Sequence, residues 1–302
     1  MMFRRIGLFV LTNILIIATI TIITSLLGVD RYLTASGINY TALLVFCLVW
    51  GFAGAFISLL LSKVMAKWTM GLTIVDPKSP GEYSWLVKTV HQLAEKAGLD
   101  KMPEVGIYES PEINAFATGP SRSNSLVAVS SGILQNMKSD ELEGVLGHEV
   151  AHIANGDMVT MTLLQGVVNA FVMFFARVAA FAVAQLFRRN DGEGSGISGI
   201  VSFVLVMVFQ IVFGILGSLV TSAFSRYREF HADRGGAQYA GKGKMIGALQ
   251  RLQLTLEKSE VESQPAMASF KISTKPNGFL SLFSTHPPLE KRIAALQAAR
   301  DL

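Results

Sequence analysis

A single cysteine in a chain of 302 residues is the first constraint the sequence sets. One thiol forms no internal disulfide and no cysteine-based zinc site. Cys47 lies in an apolar run, where it reads as a small hydrophobe. Charge is also scarce. Only 16% of the residues are Asp, Glu, Lys or Arg and 51% are hydrophobic, against about 25% charged in a soluble domain. Much of this chain is therefore not built to face water. The net charge of +4 comes with no basic run or stripe and no nucleic-acid motif, so nucleic acid is not an expected partner.

The apolar residues are gathered in four blocks: Ile6 to Val29, Tyr40 to Leu61, Val159 to Phe187 and Ile197 to Phe224. The only Lys, Arg, Asp or Glu in any of them is Arg177. A bilayer core needs roughly 20 apolar residues as helix, and each block meets that length. Four transmembrane helices are expected. Arg4 and Arg5 before the first block resemble the start of a signal peptide, but the apolar run is too long for one and no Ala-x-Ala site follows. A retained anchor is the better reading. Arg4, Arg5, Lys63, Lys67, Lys78, Arg226, Arg228 and Arg234 flank one set of span ends, and Arg31, Arg188 and Arg189 the other. The positive-inside rule then places both termini and the main polar segments in the cytosol. The Arg188–Arg189 pair leaves open whether the second hairpin is fully inserted.

This gives a layout of two N-terminal spans (1–61), a polar segment (62–158), a membrane hairpin (159–224) and a second polar segment (225–302). In the first polar segment "SWLVKTVHQLAEKAGL" has helical spacing and stops at Gly98. His91 on it reads as a solvated surface residue. "EVGIYE", "NAFATG" and "SLVAVS" read as three short strands. "SDELEGVLGHEVAHIANGD" reads as a helix with Ser139 as its N-cap. The fold class is a mainly α membrane protein with a small α+β domain.

His148 and His152 are i and i+4 on that helix, so both imidazoles can point at one metal ion. Glu149, one residue on, can reach a water held by the metal without itself being a ligand, as a general base must. A chance HExxH is rare in a chain with five histidines. A catalytic zinc takes three protein ligands, and no further histidine follows in "IANGDMVT". The best source of the third is "SRYREFHADRGG". There Glu229 can ligate, and Asp233 can accept a hydrogen bond from a ligand histidine and fix its ring. His231 is the alternative ligand. The competing account makes both acids helix-surface carboxylates paired with Arg226, Arg228 or Arg234.

With four apolar spans, HEVAH, and SRYREFHAD beyond a membrane hairpin, the chain resembles the HtpX-type heat-shock membrane metalloproteases. These are related to the CAAX prenyl proteases and to minigluzincin-type peptidases. "NAFATG" and "STHPPLEKRI" add to the likeness, which covers essentially the whole chain. The resemblance implies a minigluzincin-like protease domain and one Zn2+ per chain held by His148, His152 and Glu229, with Glu149 as the base. It further implies an endopeptidase of the bacterial inner membrane, its active site facing the cytosol, that cuts damaged membrane proteins. Its partners would be polypeptide substrates, chiefly membrane proteins, and the lipid bilayer.

Proteases of this type take an extended substrate as an added strand, and Asn114 and Ala115 in "INAFATG" would then line the cleft. His286, just before Pro287 and Pro288, either donates to the developing oxyanion or simply caps and packs the next helix. An intramembrane protease, which would place HExxH inside an apolar span, is disfavoured by Asp140, Glu141, Glu143 and Asp157, which flank the motif. A transporter or channel with an accessory metal site is the rival from another class. It would need polar residues within its spans, and Gln165, Asn169, Arg177 and Gln210 lie there.

Overall fold

The computed structural model describes residues 18–26, 28, 33–34, 37–78, 81–190, 199–262, 278–300 and 302. The chain divides into two compact units. One takes Met1–Ser58 with Met161–Thr221, the other Leu59–Thr160 with Ser222–Leu302.

The first unit is built from long apolar helices. Residues 18–26 form α1, a two-strand hairpin follows (β1, Leu33–Thr34; β2, Gly37–Ile38), and then α2 (Tyr40–Thr69). Two more long helices, α6 (Asp157–Asn190) and α7 (Gly199–Ala240), have most of their length in this unit. These three, α2, α6 and α7, are the described helices long and apolar enough to cross a membrane. Most of the first expected span lies outside the described residues. Large side chains such as Phe203 and Ile211 are exposed, as a lipid-facing surface requires. Inside the unit, α2 and α6 meet where a Cβ on Gly51 would lie 2.7 Å from the Gly166 carbonyl oxygen. Such contact between small residues is how helices associate without a hydrophobic drive. The polar residues of the spans are met locally. Gln165 Nε2 donates to Asn169 Oδ1 at 2.7 Å. Arg177 donates to the Met173 carbonyl and lies 5.3 Å from the Phe46 ring centre.

The second unit is α+β. Its sheet runs β3–β4–β6–β5, with β3 at Thr73–Ile74, β4 at Glu104–Tyr108, β5 at Ala115–Ser121 and β6 at Asn124–Ser130. β4 and β6 are parallel and the other pairs antiparallel. Three strands fall where the sequence places them; β3, at two residues, is too short for any periodicity to show. Among the described residues β5 is paired on one side only, by β6. A core of Leu86, Val90 and Leu93 from α3 (Ser84–Lys96), Val127 and Val129 from β6, and Leu142, Leu146, Val150 and Ile153 from α5 (Ser139–Asn155) closes between sheet and helices. α4 (Ser131–Asn136), α8 (Lys242–Glu262) and α9 (Leu289–Ala298) complete the unit.

Two local expectations need correction. The N-cap of α5 is Lys138, one residue before Ser139; its backbone N–H donates to Glu141 Oε2 at 2.9 Å. This is the backward half of a capping box, which needs the glutamate at the third helical position and no hydroxyl at the cap. His91 is half-buried, its Nε2 3.2 Å from the Pro103 carbonyl oxygen. SRYREFHADRGG is helical and continues α7.

Candidate metal centre

α5 ends at Gly156, whose φ of 70° is the left-handed conformation that glycine adopts without strain. The chain turns there and restarts at Asp157 as α6, so the Asp157 carboxylate faces back along α5. Its Oδ2 lies 2.6 Å from His152 Nδ1. α7 crosses α5 at small residues. A Cβ on Gly236 would stand 2.9 Å from the His148 backbone nitrogen, and one on Gly235 2.7 Å from the Ala151 Cβ. This backbone-level approach brings Glu229 and Asp233, one turn apart on α7, onto the HEVAH face.

His148, His152 and Glu229 thereby converge, with ligand-type atoms all within 4.8 Å of one another. His148 Nε2 and His152 Nε2 are 3.1 Å apart. Glu229 Oε1 is 3.4 Å from His152 Nε2, and Oε2 is 3.6 Å from His148 Nε2. Ligands at 2.0–2.1 Å in a tetrahedron are separated by about 3.4 Å, so the triangle has the size a zinc ion needs. The outer ring nitrogens fit the same account. His148 Nδ1 is 3.0 Å from Asp233 Oδ1 and His152 Nδ1 is 2.6 Å from Asp157 Oδ2. Once a ring is neutral, each carboxylate holds its remaining proton on Nδ1, so that a bare Nε2 turns inward as a metal requires. Glu229 is only 2% exposed. Arg292 Nη1 and His286 Nδ1 lie 3.0 and 2.9 Å from its Oε2, yet neither is aligned as a hydrogen bond. A buried carboxylate oxygen left so is suited to a metal. The donor set fits zinc.

The electrostatics agree. Burial alone would push the His152 pKa down, but the Asp157 and Glu229 carboxylates outweigh it and raise the value to about 9. His148 is raised in the same way by Asp233 and Glu229, against the same burial. For Glu229 and Asp233 burial works to raise the pKa. The histidines around Glu229, and Arg292 beside Asp233, hold both carboxyls below their ordinary range.

Other residues read from the sequence fall as follows. Glu149 is half-buried on α5. His286 is largely exposed, with its ring against Glu229. His231 meets Tyr227 edge to face, ring centres 4.4 Å apart, and is not in the converging group. Asn114 precedes β5 and exchanges backbone contacts with Ser130, its N–H donating to Ser130 Oγ and its carbonyl accepting from Ser130 N–H. Ala115 opens β5, which packs beside α5. The arginines near Glu229 are engaged elsewhere in part: Arg226 donates to the Leu282 and Ser284 carbonyls, and Arg228 to that of Asp157. Two residues carry roles that the sequence reading did not assign. Asp157 read only as a flanking acid, since nothing in sequence reveals a left-handed turn aiming it backwards. Arg292 lies within "STHPPLEKRI", but its reach to Asp233 is a tertiary fact with no spacing signal.

The profile of "Peptidase family M48" matches residues 80–300. The chain belongs to peptidase family M48. The "Protease HtpX homolog" of Bacillus subtilis (strain 168) is 55% identical over 305 residues, covering 98% of this chain and all of that one. The "Protease HtpX" of Hydrogenovibrio crunogenus is 52% identical over 295 residues, 98% of this chain and 97% of its own. The crystal structure of S. mikatae Ste24p superposes with a TM-score of 0.59 at 19% identity, over 84% of this chain and 58% of that one. At that identity the likeness is one of fold. With HtpX relatives matched end to end and three described apolar helices, this M48 member is a membrane metalloprotease. The transporter reading is not favoured.

Proposed function

We propose that this M48 peptidase is a zinc endopeptidase that cuts damaged or misfolded membrane proteins at their cytosolic segments as part of stress quality control. What carries the reading is the convergence of three ligand atoms at zinc-ligand spacing. His148, His152 and Glu229 hold the ion, while Asp233 and Asp157 fix the imidazole tautomers. Zinc bound there supplies Lewis acidity toward a carbonyl oxygen and lowers the pKa of water. Glu149 takes the proton of the attacking water and returns it to the leaving amine. The substrate lies extended along the edge of β5 that no described strand pairs, near Asn114 and Ala115, where main-chain bonds hold it in register. His286, exposed beside Glu229, is the donor assigned to the developing oxyanion. The domain is minigluzincin-like, four helices span the bacterial inner membrane, and the site faces the cytosol.

Glu149→Gln in the purified full-length chain tests this directly. It should keep one zinc per chain and the parent's melting behaviour. Casein cleavage should fall by at least about 100-fold, the lower range for a lost general base. A variant that still cleaves at the parent's rate sinks the assignment of Glu149.

A further inference from the structure

Arg292 is only 6% exposed, and a buried arginine requires partners for its charge. It stands on α9, an element that contributes nothing to the converging metal group. Its nearest partner is Asp233, itself 1% exposed. Nε donates to Oδ2 at 2.7 Å and Nη2 to Oδ1 at 2.5 Å. A two-point fork of this kind fixes the plane of a carboxylate. The fixed plane turns Oδ1 to His148 Nδ1 at 3.0 Å. The remaining arm, Nη1, stands 3.0 Å from Glu229 Oε2.

We propose that Arg292 is a positioning residue of the metal centre. It clamps Asp233 so that His148 keeps its proton on Nδ1 and presents Nε2 to the ion, and it restrains Glu229 from the same guanidinium. The proposal rests on reading His148, His152 and Glu229 as ligands. The other histidine has a similar chain of groups with a looser end. Asp157 meets His152 closely, but Arg228 Nη1 is 4.0 Å from Asp157 Oδ2 and donates to the backbone carbonyl instead, at 3.3 Å. The two arginines should therefore differ in weight, with Arg292 dominant. α9 is held in place by Ile293 and Leu296, which pack on Ala237, Met245 and Leu249. The clamp thus arrives from the C-terminal end of the chain.

The test is equilibrium zinc binding to the full-length chain in detergent, read by competition with a chromophoric chelator. It is accompanied by the visible spectrum of the cobalt(II)-loaded protein and the melting of the metal-free protein. Arg292→Gln should weaken zinc binding about 10–100-fold and alter the cobalt bands, whereas Arg228→Gln should weaken it less. Asp233→Asn combined with Arg292→Gln should bind no worse than the weaker single variant, because the two act as one unit. Parent-like affinity and cobalt bands in Arg292→Gln, or fully additive losses in the double variant, overturn the proposal. If Arg292→Gln does not fold, Arg292→Lys replaces it, keeping the charge and losing the fork. Parent-like zinc affinity there overturns the proposal equally. His148→Ala separates the two readings. Undiminished zinc in that variant removes the ligand assignment itself, whatever Arg292 does.

Discussion

His148 and His152 each have a carboxylate of their own, and that pairing sets the behaviour of the metal-free protein. The His152 pKa is raised from the ordinary value near 6.5 to about 9 by Asp157 and Glu229, despite burial. Folding therefore favours the protonated ring, so its contribution to stability is complete below about pH 6.5 and is lost as the pH rises through about 9. Zinc binding needs the neutral ring, so the ion displaces a proton throughout that window. The melting temperature of the metal-free chain should fall between pH 6.5 and 9, and the apparent zinc affinity should rise over the same range. Melting curves and chelator competition at four pH values across the window check both. A pH-independent zinc affinity would contradict the protonation of His152 in the metal-free site. The pair itself was legible in sequence because i, i+4 spacing puts two side chains on one face wherever a helix forms. Asp157 and Arg292 were not, since each depends on where another element stops or docks.

At the scale of elements, the centre depends on how closely α7 can approach α5. Gly236 is where that crossing meets the backbone of a ligand residue, with the His148 nitrogen 2.9 Å from where a Cβ would stand and the Met245 sulfur of α8 equally close. The neighbouring backbone cannot yield without moving His148. Gly236→Ala should destabilise the protein by about 1–3 kcal/mol, the usual cost of overpacking, and weaken zinc binding because Glu229 and Asp233 retreat with α7. Gly247→Ala on α8, where nothing lies within 4 Å, is the control. It should hold or gain stability by up to about 1 kcal/mol through helix propensity. Chemical denaturation and zinc titration of both variants decide the matter; equal behaviour would mean that α5 and α7 tolerate wider spacing. Sequence periodicity revealed α3, α5 and three strands, where one apolar face is repeated. It did not reveal that SRYREFHADRGG continues an apolar helix, because the composition changes there while the backbone does not. Nor did it single out the glycines of the crossing, Gly147, Gly235 and Gly236, which sit inside helices.

Over the whole molecule, the chain leaves the protease unit through α6 and returns through α7, so the hairpin joins Asp157 to Glu229 and Asp233 covalently. The contacts that assemble the centre, however, all lie within the second unit: the α5–α7 crossing, Asp157 on His152 and the Arg292 clamp. Closing a longer or shorter flexible loop changes its entropy cost only slowly, by about 0.6 kcal/mol per doubling. Replacing residues 161–221 with a short soluble linker should therefore leave zinc binding and cleavage of an unfolded soluble substrate near the parent's level. Cleavage of membrane-embedded substrates should drop, because the basic residues and apolar spans that fix the chain in the bilayer are cut in number. Orientation is tested in the same preparation. With Cys47 replaced by serine, a cysteine at exposed Asp100 should react with a membrane-impermeant thiol reagent only after the cells are opened, as the bias of basic residues toward one set of span ends requires. Labelling of Asp100→Cys in intact spheroplasts would reverse the topology. If the linker variant instead cut both substrate classes as well as the parent, the hairpin would serve as an anchor alone and substrate choice would have to reside in the edge of β5.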